Sequence, residues 1–160
     1  MKRRKPGEPR RRFHGAKLSP GEVATYCAEV FSDPEKRELY EEALGRHRCT
    51  LRELILRDAQ TPPTIQRIEL SQYTGHAGEP IRVLATDDFF VAGVIVEIAD
   101  HSGNELEGGA ATCGDDGVWT YRTTTALATG QLVLVSASVF DTPLNMAFRS
   151  TMFRVGGPTG

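Results

Sequence analysis

The sequence predicts a mainly β protein, a seven-stranded antiparallel sandwich preceded by a small α-helical extension and a basic arm. Three observations carry that prediction. From Thr64 to Val155, short runs rich in Val, Ile, Thr and aromatic residues recur, with turn residues roughly every ten positions. Ahead of them stand two helix-start signals. Ahead of those, basic side chains crowd the amino terminus.

Residues 1–17 form the arm. Lys2, Arg3, Arg4, Lys5, Arg10, Arg11, Arg12 and Lys17 face a single acid, Glu8, for a net +7, so the chain's overall −2 leaves −9 on the remainder. With Phe13 its one large apolar side chain, the arm cannot bury enough surface to fold alone and is expected to be disordered. The helical extension occupies 18–62. Ser19-Pro20-Gly21-Glu22 combines an N-cap serine, proline at the first helical position and glutamate three residues on, a capping box. Val23, Tyr26, Cys27, Val30 and Phe31 follow at helical spacing, predicting a helix over 20–31. Ser32-Asp33-Pro34-Glu35 starts a second over 34–44, with Leu39, Tyr40, Ala43 and Leu44 as its apolar stripe and Gly45 as its stop. Thr50-Leu51-Arg52-Glu53 opens a third segment that ends near Asp58, short enough to be helix or strand. Thr61-Pro62-Pro63 blocks helix continuation and sets the boundary.

The sandwich spans 63–156, with 157–160 as a flexible tail. Its strands are expected at 64–70, 81–86, 91–99, 105–112, 118–123, 131–140 and 147–155. Alternation turns Ile81, Val83 and Ala85 to one face and Arg82 and Thr86 to the other, and separates Trp119 and Tyr121 from Thr120 and Arg122. Leu132 to Val135, apolar without a break, predicts a central strand buried on both faces and partly covered by the helices. Gly108-Gly109 is expected to mark a bulge.

The residues Tyr73-Thr74-Gly75, Gly78 to Ile81, Ala85 to Asp88, Val94 to Ile98 with Gly103-Asn104, Val118 to Tyr121 and Val135 to Asp141 resemble bacterial immunoglobulin-like and fibronectin type III-like repeats over about 90 residues. The resemblance implies an immunoglobulin-like sandwich. Paired cysteines on the second and sixth strands are missing, with Val83 and Val135 or Ala137 in their place, so no disulfide is expected. Cys27, Cys49 and Cys113 are an odd number without CxxC, which points to reduced thiols.

In such a sandwich Asp87, Asp88, Asp115, Asp116 and Asp141 fall on three loops at one pole, where the helices and arm also enter. Three readings of this acidic pole stand open: solvated Asx turns, docking of a basic segment, or weak Ca²⁺ binding, for which no DxDxDG loop is present. Partner contacts are expected at Arg3, Arg4, Arg10, Arg11, Arg12 and Phe13 in the arm, and at Phe89 and Phe90, two adjacent aromatics that cannot both face one core. The arm suits a protein partner, nucleic acid or mere solubility. His14, His47, His76 and His101 are scattered, GxSxG and HExxH are missing, and no glycine-rich phosphate loop occurs, so neither enzyme activity nor a cofactor is expected. No apolar run is long enough to span a membrane and no export signal is evident, giving a cytoplasmic expectation. The function expected is a non-enzymatic protein-binding or self-assembly module. A nucleic-acid-associated protein and a carbohydrate-binding accessory sandwich are the alternatives.

Overall fold

The computed structural model describes residues 17–156. Three helices come first: α1 (Pro20–Ser32), α2 (Pro34–Leu44) and α3 (Leu51–Gln60). Ser19 and Glu22 close a reciprocal capping box on α1, and Thr50 and Glu53 do the same on α3. On α2, the Asp33 carboxylate accepts the backbone N–H groups of Glu35 and Lys36. The ambiguous third segment is therefore helix, its cap satisfying donors that a strand would have offered to a neighbour.

Eight strands follow: β1 (Thr64–Glu69), β2 (Pro80–Thr86), β3 (Val91–Asp100), β4 (Glu105–Ala110), β5 (Thr112–Cys113), β6 (Trp119–Arg122), β7 (Leu132–Asp141) and β8 (Met146–Arg154). They form two four-stranded antiparallel sheets, ordered β1-β2-β6-β5 and β4-β3-β7-β8. The count is eight rather than seven because the expected fourth strand changes sheets: β4 pairs with β3, and β5 pairs with β6. The crossing at Ala111, which is buried, closes one side of the sandwich. On the other side the Arg149 guanidinium on β8 donates to the carbonyls of Ile65 and Gln66 on β1.

Inward-facing Ile81, Val83, Val94, Val96, Ile98, Tyr121, Val133, Val135, Ala137 and Val139 form the main core. The glycine pair makes no bulge. Gly108 and Gly109 pair in register with Glu97 and Val96, and a side chain at 109 would lie 3.1 Å from the Tyr121 ring. Glycine is needed there for close approach between sheets.

The helices build a separate core from Val23, Tyr26, Cys27, Val30, Tyr40, Leu54, Ile55 and Ala59. They gather at the pole of the sandwich rather than over β7. That strand is central but not covered on both faces: Val133 and Val135 are buried inside, whereas Leu132 and Leu134 lie half-buried on the outer face and belong to neither core.

Candidate functional site at the helix–sandwich junction

Helical cap and sandwich meet around three carboxylates from three elements. Asp58 closes the apolar stripe of α3, Asp87 follows β2, and Asp141 ends β7. One oxygen from each lies within 4.8 Å of the others. Asp58 is 2% exposed and Asp141 fully buried.

The cluster has a defined set of donors. The Tyr40 hydroxyl donates to Asp58 Oδ2 at 2.5 Å, and with its proton so engaged it accepts from Tyr26 at 2.8 Å. Asp87 Oδ1 accepts the Phe89 N–H. Asn145 serves Asp141 twice, its N–H donating to Oδ1 and its Nδ2 to Oδ2. The same Nδ2 donates to the Ala59 carbonyl, and Asn145 Oδ1 accepts the Leu18 N–H. One side chain thus ties together the start of α1, the end of α3 and the β7–β8 turn. Asp58 Oδ1 and Asp87 Oδ2, both enclosed, receive no donor from the rest of the described residues, and the two carboxyls are close enough to share a proton.

Electrostatics follows from burial. Desolvation raises the Asp58 carboxyl well above its ordinary value, and the charges of Asp87 and Asp141 add to the rise against the Tyr40 hydrogen bond. Burial also raises Asp87, opposed by the Phe89 N–H. Asp141 is pushed up to about 6 by burial, although the Asn145 donors pull it down. Tyr26 is pushed up to about 12, chiefly by burial. Tyr40 rises further, through burial first and then its bond to Asp58.

Of the expected acidic residues, the structure brings together Asp87 and Asp141. Asp88 and Asp115 are exposed, and Asp116 pairs with Arg82 at 3.0 Å. Asp58 completes the cluster from outside the expected set. Its signal was available in the sequence, since an acid four residues after Leu54 falls on the buried stripe of α3. Phe89 stacks on Tyr40 with ring centroids 4.5 Å apart, joining the helical core, while Phe90 is 42% exposed. Arg3, Arg4, Arg10, Arg11, Arg12 and Phe13 lie outside the described residues. His47 approaches Arg57, His76 approaches Thr74 and Glu79, and His101 is exposed.

A second surface is distinguished by what it lacks. The outer face of β1-β2-β6 carries Arg67, Glu69, Arg82 and Arg122, with Glu69 bridged to both Arg67 and Arg82. The outer face of β3-β7-β8 is apolar toward its two ends, where cross-strand register sets Ile95 beside Ser138 and Phe148, Phe140 beside Met146, and Leu134 beside Met152, while a polar row of Glu97, Ser136 and Ser150 crosses between them. Ile95 is 41% and Met152 53% exposed.

No family model matches the chain, and no curated protein matches it. Among solved structures, CopC from Methylosinus trichosporium OB3b is 17% identical over 61% of this chain and 97% of its own, with a TM-score of 0.43. An engineered protein is 19% identical with a TM-score of 0.39, and a Bifidobacterium dentium β-glucuronidase complexed with coumarin-3-O-glucuronide is 16% identical with a TM-score of 0.37. This chain spans 20% and 17% of those two. At such identities and TM-scores none of the three transfers an activity to this chain. What stands on the chain's own geometry is a β-sandwich of two antiparallel sheets, capped at one pole by three helices through a buried acidic junction.

Proposed function

We propose that this protein is a non-enzymatic assembly module, an immunoglobulin-like sandwich that associates with a second copy of itself through the outer face of β3-β7-β8. The strand order, with the chain crossing between sheets after β4, supports the immunoglobulin-like reading. The apolar face carries the functional one. Apolar side chains such as Ile95 and Met152 exposed on a sheet face cost solubility unless something covers them.

Edge-to-edge pairing is disfavoured, because the sheet crossing at Ala111 and the Arg149 bridge close the two sides. Face-to-face packing remains open. Strands of ten, ten and nine residues present roughly 450 Å² of face, so a pair would bury on the order of 900 Å², the range of weak, reversible complexes. The charged residues of this face are Glu97 in its central row and Arg154 at the far end of β8, of opposite sign. Two copies of such a face are compatible with each other, as the inner faces of a sandwich are.

Light scattering coupled to size-exclusion chromatography tests this directly. The full chain is expected to run as a dimer, and Ile95→Lys with Met152→Lys as a folded monomer. A chain beginning at Leu18 should still dimerise. A monomeric full chain would sink the proposal, and a dimer lost on removing the arm would reassign association to the arm.

A further inference from the structure

We propose that Asp58, Asp87 and Asp141 bind one divalent cation of the size and hardness of Ca²⁺, clamping the helical cap to the sandwich. The site is distinct from the apolar face and stands or falls independently of it.

Three observations converge. The three carboxylate oxygens fall within 4.8 Å of one another, the span of ligands on opposite sides of an ion bound at about 2.4 Å. Asp58, 2% exposed, has an enclosed Oδ1 that no other described group serves with a donor, and Asp87 Oδ2 is in the same condition. A buried acceptor left empty is costly, and native structures rarely tolerate one. Finally, no Lys, Arg or His among the described residues pairs with any of the three, although ion pairs form elsewhere on the molecule.

A proton is the competing occupant, since Asp58 and Asp87 approach closely enough to share one. One shared proton satisfies the two orphaned oxygens but leaves two negative charges in the same enclosure. A divalent cation takes one oxygen from each of the three carboxylates and leaves a single negative charge. Oxygen-only donors without thiolate or imidazole select a hard ion, and three carboxylates from three separate elements suit the irregular coordination of Ca²⁺ better than the near-ideal octahedron that Mg²⁺ demands.

The test is thermal unfolding of the chelator-treated full chain at pH 7.5 and constant ionic strength, with CaCl₂, MgCl₂ or KCl added. Saturating Ca²⁺ is expected to raise Tm by about 5–10 °C, Mg²⁺ by less, and KCl not at all. Asp58→Asn, which keeps the shape and removes a buried charge, should match or exceed wild type in chelator and lose the Ca²⁺ response. Asp116→Asn should keep it. Tb³⁺ supplies a readout independent of stability: bound beside Tyr40, it should luminesce on tyrosine excitation in wild type and not in Asp58→Asn or Asp87→Asn. A Ca²⁺ response equal in wild type and Asp58→Asn would overturn the site, as would a Tm blind to Ca²⁺ that simply falls as pH rises, which would assign the space to the shared proton.

Discussion

Asn145 satisfies more of the junction than any other single side chain, receiving the Leu18 N–H and giving its own amide protons to Asp141 and Ala59. Each of these groups is buried or half-buried, so truncation leaves acceptors without donors. Asn145→Ala is therefore expected to cost about 2–4 kcal/mol in urea unfolding, far beyond a surface substitution. The acids themselves predict the pH response of the chelated protein. Asp141 is raised to about 6, and Asp58 and Asp87 are raised as well, so the folded chain holds protons that the unfolded chain has released. Stability is fully present below the ordinary carboxylate range and is lost as pH climbs through the raised values, so Tm should fall from about pH 4 upward through 7. Pulsed titration with Ca²⁺ present should flatten that slope. At this scale the sequence was least informative. Asp87 and Asp141 were visible as loop acids, but which of five acids would converge depended on where an acid in α3 would land, and no local pattern encodes a contact between residues 58, 87 and 141.

Elements were far more legible. Capping boxes wrote the starts of α1 and α3 into residues three apart, and both formed as reciprocal hydrogen bonds. Strand positions followed the two-residue alternation, which a half-buried sheet imposes directly. The unread features were those set by the partner sheet: the switch between β4 and β5, and Gly109 yielding to the Tyr121 ring. The β7–β8 turn offers a prediction of its own. Leu144 adopts φ 71° there while remaining 70% exposed, a left-handed conformation that a β-carbon resists, with no burial to offset it. Leu144→Asn should raise stability by about 0.5–1 kcal/mol, read as a shift in the urea midpoint at constant slope. An unchanged midpoint would mean that the leucine is held by contacts on the cleft it borders, between α1 and this turn.

The whole molecule separates its polarity by face and by pole. One outer sheet face is charged and cross-bridged, the opposite one is apolar on either side of a single polar row, and the acids that meet are hidden at the junction rather than spread over the surface. Association through the apolar face should accordingly persist, or strengthen, as salt is raised, because hydrophobic contact is not screened while exposed ion pairs are. Dimer that dissociates in high salt would argue for charged contacts instead. Composition and charge asymmetry suggested a binding module; the division of faces needed cross-strand register, since Leu132 to Val135 read as doubly buried until the helices were seen to gather at the pole.

The Asn145 tie also has a mechanical meaning. Residues Leu18 and Ala59, the two ends of the helical cap, are fastened to one amide at the tip of the β7–β8 hairpin. A pull applied at the amino terminus therefore loads β7 and β8 lengthwise before it can peel α1 away. The cap behaves less like a tag on a string than like a handle bolted to the frame.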